Sequence, residues 1–370
     1  MLLTGHSHQA WPDVGFEAQQ RAWLDAAEYV DEKWEKAEVQ AAHVRAGFAR
    51  LLGDSAANIA LGHNTHELVT RWLSALPLRD RPRIVTSNAE FHSLRRQVDR
   101  LAEEGLEIVN VPARPVDTLT DRVVASLDSR TACVMLSSVL FETAEIVPGL
   151  EWLAAACRRD GVPLLLDAYH HLNVVPFHLG ADLEDVFVTG GGYKYAQLGE
   201  GNCFLRVPPD SRMRPVLTGW FTAFDSREEV GHRRVVYGTG AHAFGGATYD
   251  TTSHYRAAAV FDFFQEQGLT ADRLHAINRH QVQLLKSQFE RLDGPPAVAA
   301  VEAMPAERRG GFLAIRTNEA IAVARQLRVH GVHSDARGNV LRLGPAPYLR
   351  DDQLRDAIGL VGHVLGFSNR

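Results

Sequence analysis

The stretch Asp167–Gly201 reads DAYHHLNVVPFHLGADLEDVFVTGGGYKYAQLGEG. It opens at the end of the apolar run Pro163-Leu164-Leu165-Leu166, so Asp167 stands at the carboxyl end of a predicted buried strand, Pro163–Ala168. A carboxylate in that position is costly unless it has a partner or a task. A helix cap or a turn is the plain alternative. A second apolar run, Asp185–Thr189, predicts the neighbouring strand, and Lys194 lies just beyond it. Adjacent strand ends would set a carboxylate and an amine at one crevice, a pairing suited to covalent chemistry on a carbonyl group.

Outward from this stretch the pattern repeats. Further strands are predicted at Arg83–Ser87, Glu107–Val111, Ala132–Ser138 and Cys203–Val207, with helices at Leu94–Glu104, Thr120–Ser129 and Leu150–Asp160 between them. Nearly continuous apolar strands separated by helices predict an α/β fold with a mostly parallel sheet covered on both faces. Ligands gather at the carboxyl ends of such strands. After about Tyr237 the chain changes character. A Gly-rich passage, GTGAHAFGGATYD, leads to helical patterns at Tyr255–Glu266 and Thr270–Leu292, short strands at Gly311–Arg316 and Val340–Leu343, and a final helix at Asp351–Leu365. The expected division is a large domain over 16–237 and a smaller α+β domain over 1–15 and 238–370.

Length and composition agree with two packed domains: 370 residues, 45% hydrophobic and 23% charged. A net charge of -6 without a basic run argues against nucleic acid or an anionic membrane as partner. No apolar stretch reaches the roughly 18 residues that a membrane span needs. The N-terminal residues lack the charged and apolar regions of a secretory signal. Cys133, Cys157 and Cys203 are widely spaced, with no metal or redox motif, and read as structural thiols. A cytoplasmic protein is the expectation.

The opening stretch resembles the cofactor segment of class V pyridoxal-phosphate (PLP) enzymes of the aspartate aminotransferase fold, and among them that of kynureninases. Asp167 and His170 match an Asp-x-x-His motif. Tyr193, Lys194, Tyr195, Gly199 and Gly201 match Ser-Tyr-Lys-Tyr-Leu-Asn-x-Gly-x-Gly. The resemblance implies fold type I: a large domain built on a mostly parallel seven-stranded sheet, and a smaller α+β C-terminal domain. It implies PLP held by Lys194 as a Schiff base, with Asp167 on the pyridine nitrogen and Tyr193 as a proton relay.

A thinner likeness extends over most of the chain. GHNTHEL (Gly62–Leu68) falls where the family places a phosphate-binding loop and helix N-terminus, which gives Asn64, Thr65 and His66 as contacts. An ordinary N-cap by Asn64 or Thr65 would use the same atoms. Phe91, with His92 as the alternative, resembles the residue that stacks on the pyridine ring. Ser138 and Thr143 align with a loop near the ring. Trp220, and Thr248 from a neighbouring subunit, align with phosphate contacts, so a homodimer with shared sites is implied. VLRLGPAPYL resembles the element whose arginine binds the substrate α-carboxylate, which points to Arg342. His6 and His8 fall where the family's N-terminal segment lines the substrate mouth.

The implied reaction is hydrolytic cleavage of the Cβ–Cγ bond of kynurenine or a related aryl amino acid. Three departures bear on it: Thr222-Ala223-Phe224 replaces Gly-His-Glu, the substrate-binding Asn is replaced near Thr248, and HSHQAWP begins almost at residue 1. The first two alter expected contacts to the aromatic ring. A class V aminotransferase or a PLP-dependent β-lyase is therefore the alternative. Cysteine desulfuration is disfavoured, since no Cys follows Cys203. From a different class, His6 and His8 spell the metal pair of barrel hydrolases, but eight comparable βα units are missing from the pattern.

Overall fold

A computed structural model of the chain describes residues 1–223 and 235–369. The elements are, in order, α1 (Asp13–Tyr29), α2 (Lys33–Leu52), β1 (Ile59–Gly62), α3 (Thr65–Ser74), β2 (Arg83–Ser87), α4 (His92–Glu103), β3 (Glu107–Val111), α5 (Leu119–Ala125), β4 (Thr131–Ser137), α6 (Leu150–Arg159), β5 (Leu164–Asp167), β6 (Phe187–Gly191) and β7 (Cys203–Arg206). There follow α7 (Thr252–Glu266), α8 (Ala271–Phe289), β8 (Leu292–Asp293), β9 (Ala300–Val301), β10 (Leu313–Arg316), α9 (Ala320–Val329), β11 (Asp335–Arg337), β12 (Val340–Leu343), α10 (Asp351–Leu365) and β13 (Ser368–Asn369).

The expected α/β architecture with a seven-stranded sheet is what forms. Its order is β1-β7-β6-β5-β4-β2-β3. Strands β2 to β6 pair in parallel, while β7 runs antiparallel to both β6 and β1. Strands β4 to β7 are buried at every position, as strands covered by helices on both faces must be. Leu136, Leu164, Leu166 and Val188 pack under α6 and α2 on one side; Met135, Leu165, Leu205 and Trp72 of α3 pack on the other. In register, Ser137 of β4 lies beside Asp167 of β5, which lies beside Thr189 of β6. The carboxyl ends of these three strands form one edge, and the site is built there.

A four-stranded sheet, β11-β12-β10-β9, carries the second core with α8, α9 and α10. Leu341 and Leu343 of β12 enter that core, and Leu3 joins it from the N-terminal segment. Residues 1–5 lie along this sheet: Leu3 N donates to His333 O, and Gly344 N donates to Leu3 O, each at 2.8 Å. The chain then passes from the small sheet to the strand ends of the large one.

The division expected after residue 237 needs correction. Helix α7 packs between α1 and α2, and its Ala257, Val260, Phe261 and Phe264 belong to the core of the large sheet. The Gly-rich passage before it is a return path rather than a boundary. Leu274 of α8 still reaches the large core, whereas Val282, Leu285 and Phe289 lie in the small one, so α8 bridges the two. The helix predicted to reach Ser129 stops at Ala125, because Asp128 accepts from Arg130 N and the Thr131 hydroxyl to make a turn. Among the described residues no helix is long and apolar enough to cross a membrane.

Candidate active site

Lys194 and Asp167 meet at the carboxyl ends of β5 and β6. The loop after β6 doubles back tightly: Leu198 N donates to Gly192 O, and Gly199 adopts φ 69°, a conformation that suits glycine. Gly191 is required for a different reason. A Cβ there would lie 2.3 Å from the Tyr169 hydroxyl. These turns point the Lys194 amine inward, where it is buried and stands 2.7 Å from His170 Nε2. Around it are the rings of Tyr169, Phe91 and Tyr193, with centroids at 4.8, 5.1 and 5.7 Å.

Burial disfavours charge on this amine and pushes its pKa down to about 7; Asp167 opposes the shift and Arg342 adds to it. Asp167 is also buried, and its carboxyl is raised by desolvation against the pull of the Tyr169 N–H and Lys194. Asp167 Oδ1 accepts from Tyr169 N at 2.8 Å. His170 is pushed well below the usual imidazole range by burial, and its Nδ1 has no hydrogen-bond partner among the described residues. Tyr193 is pushed up to about 12 by burial, so its hydroxyl keeps its proton at neutral pH.

The other expected residues fall into three groups. Phe91 N-caps α4 beside the amine, whereas the exposed His92 ring pairs with Arg95 at 2.9 Å. Arg342 is buried on β12, facing away from Leu341 and Leu343. It grips Asp335 through Nε and Nη2 at 3.3 and 2.7 Å and donates to Phe141 O through Nη1. His8 stacks on Tyr193 at 4.9 Å, while His6 is fully buried against Phe312 at 4.6 Å. The described residues hold no cluster of three His, Cys, Asp or Glu side chains that could ligate a metal.

A second group serves the α3 N-terminus. Asn64 caps α3 by accepting from Glu67 N at 2.9 Å, Thr65 is buried, and the exposed His66 pairs with Gln97. Gly62 pairs in register with Cys203, whose thiol is 3.6 Å from the Tyr169 hydroxyl, so this helix end adjoins the crevice. The third group makes contacts of its own. The Trp220 indole donates to the Thr248 hydroxyl at 3.2 Å on a surface where Trp220 is 47% exposed. Ser138 donates to Asp167 O at 3.2 Å and meets His171 Nδ1 at 3.1 Å, so it braces the strand end. Thr143 donates to Glu145 at 3.0 Å. Phe224 is outside the described residues.

Sequence reasoning passed over Tyr169, Asp335 and Glu90. Glu90 is buried beneath the site and receives the hydroxyls of Ser87 and Ser137. Its signal was slight, an acid immediately before Phe91. Tyr169 was visible inside the Asp-x-x-His motif but carried no assigned role.

A family model described as the kynureninase C-terminal domain matches residues 274–361. The chain is 25% identical over 276 residues to a kynureninase of Bacillus mycoides (strain KBAB4), covering 70% of this chain and 61% of that protein. It is 27% identical over 331 residues to a kynureninase of Deinococcus radiodurans, covering 87% and 77%. The alignments thus span about three-fifths of the length of the first of these relatives. Among solved structures, the cystine C–S lyase C-DES, with glycine covalently linked to its PLP cofactor, superposes with a TM-score of 0.86 at 17% identity, covering 99% of this chain and 96% of that one. The chain therefore has the fold of type I PLP-dependent enzymes, and in sequence it is similar to the kynureninases.

Proposed function

We propose that this chain is a PLP-dependent enzyme with Lys194 as the cofactor lysine, acting as a hydrolase on the Cβ–Cγ bond of kynurenine or a related aryl amino acid. The observation that carries the reading is the buried Lys194 amine, its pKa lowered, among Tyr169, Phe91, Tyr193 and His170 at the strand end that bears Asp167. The residues fit the cofactor. An amine depleted of charge is nucleophilic near neutral pH, the α3 N-terminus suits a phosphate, and His170 Nδ1 lacks a partner. When bound, PLP supplies an electron sink for charge developing at the substrate α-carbon.

The chain's own residues divide the remaining work. Asp167 would hold a proton on the ring nitrogen of the bound cofactor, and its burial among apolar strands would keep water from competing for it. Phe91 offers a flat apolar face, while Lys194 Nζ takes the proton from the α-carbon. Tyr193, still protonated at neutral pH, donates toward the side-chain carbonyl. Arg342 has five N–H groups. Three are committed to Asp335 and Phe141 O, and the remaining two can hold the α-carboxylate. Trp220 and Thr248, already joined to each other, would serve the phosphate of a second chain in a homodimer.

The purified protein should be yellow with PLP, and borohydride should fix the cofactor to the Lys194 peptide. Incubation with L-kynurenine or 3-hydroxykynurenine should release an anthranilate and alanine, and Lys194→Ala should lower turnover by at least about a thousandfold. An unlabelled Lys194 peptide would sink the cofactor assignment. Keto-acid formation that depends on an amino acceptor would replace the hydrolase with an aminotransferase on the same residues.

A further inference from the structure

Between the N-terminal segment, α9 and β11 lies a cavity of about 580 Å³. Its wall includes Arg325, Arg328, Arg337, His8 and His333, and Asp335 is its single carboxylate. That carboxylate is already spent. Arg342 holds it through two N–H groups, and Arg337 Nη2 leans on the same Oδ2 at 3.6 Å, so two guanidinium groups share one negative charge. Arg325 and Arg328 are exposed on α9, and among the described residues neither has a carboxylate partner. Near the rim, Glu200 lies 3.6 Å from His8. At the wall, Ser334 is buried with a hydroxyl that has no hydrogen-bond partner. Three arginines with one shared counter-charge describe a site short of an anion.

The cavity also touches the crevice. His8 lines it and stacks on Tyr193, and Asp335 lines it and holds Arg342. We propose that this cavity is an oxyanion site, which takes the carboxylate or phosphate group of a small acidic molecule at the mouth of the Lys194 crevice. Arginine forks on two elements, α9 and β11, would clasp the oxyanion. The oxyanion belongs either to the far end of the amino-acid substrate or to a free anion. The first source rests on the proposed function; the site itself does not.

The test uses the intact, PLP-saturated protein, whose cofactor phosphate site is filled, with inorganic phosphate as the probe. Calorimetric titration of the parent and of the R325Q/R328Q variant should show binding by the parent and at least about tenfold weaker binding by the variant. Both arginines are exposed, and a thermal melt confirms that the variant is folded. No binding, or equal binding by both proteins, overturns the site. A second arm identifies the source. If the oxyanion is the substrate's own, R325Q/R328Q raises KM for an amino acid with a second carboxylate and leaves KM for a neutral aromatic one unchanged. If phosphate binds the parent, weakens in the variant and both KM values stay put, a free anion is the ligand. Absence of PLP at Lys194 with phosphate binding intact counts against the proposed function and leaves the oxyanion site standing.

Discussion

Glu90 sits between β2 and α4, where the hydroxyls of Ser87 and Ser137 donate to its two oxygens at 2.5 and 2.6 Å. Burial, reinforced by the nearby Asp167, pushes its carboxyl up to about 7 despite those hydrogen bonds. A carboxyl whose folded pKa lies above its unfolded value of 4.5 binds more protons folded than unfolded. Its contribution is therefore complete below pH 4.5 and is lost as pH rises through 7. The loss amounts to about 3 kcal/mol across that window. Glu90→Gln keeps the shape and removes the titration. Urea unfolding at several pH values should show the variant gaining on the parent by about that amount between pH 4.5 and 7.5. A difference that does not change with pH would refute the buried acid. Glu90 was illegible in sequence because its partners are two serines on separate strands, and nothing local marks them. Asp167 and Lys194 were legible because a strand end and a doubled-back glycine turn leave few places for either to go. The Arg342–Asp335 pair lies between: the alternation Leu341-Arg342-Leu343 announces the arginine's face, but its partner comes from another strand.

The elements differ in how plainly they are written. Strands β4 to β6 are bounded runs of Leu, Val and Cys, buried on both faces, and their predicted limits fall within two residues of the observed ones. Helices α1 and α2 were not singled out. Of its 17 residues α1 buries only Gly15, Ala22 and Asp25, so its core-facing side carries almost no large apolar residue to mark it. What holds these helices is contact with α7, closest at Gly47, where an added Cβ would meet the Phe261 ring at 2.3 Å. Gly47→Ala should therefore destabilise the protein by about 1–3 kcal/mol through overpacking. Phe261→Leu in the same background should return part of that loss. Chemical denaturation of the two variants and the double variant checks the coupling; strictly additive effects would mean that the helices do not meet there.

At the scale of the molecule, the sequence misleads where it looks most like a boundary. The change of character after Tyr237 suggests a domain division, yet the chain returns through those glycines to place α7 in the large core. Only the long-range packing of Phe261 and Phe264 reveals this. A homodimer with shared sites accords with the exposed Trp11, Phe16, Trp23 and Leu24 along α1 and its approach, an apolar surface of the sort that interfaces cover. If Trp220 and Thr248 act across that interface, Lys194→Ala chains mixed with W220A/T248A chains should regain activity that neither homodimer has. Random pairing leaves one intact site in half the dimers, about a quarter of the parent activity. Sedimentation as a monomer, or a mixture as inactive as its components, would withdraw the shared site.

The way residues 1–8 thread the molecule has a consequence for handling it. The Met1 ammonium donates to Gly331 O at 2.5 Å, Leu3 is buried in the small core, and His8 ends at Tyr193. Any residues joined ahead of Met1, an affinity tag included, would hang beside the wall that Leu2 and Thr4 give to the arginine-lined cavity. A polyhistidine leash there adds imidazoles to a place already crowded with cations. For this protein, the choice of purification handle is therefore also a choice about its chemistry.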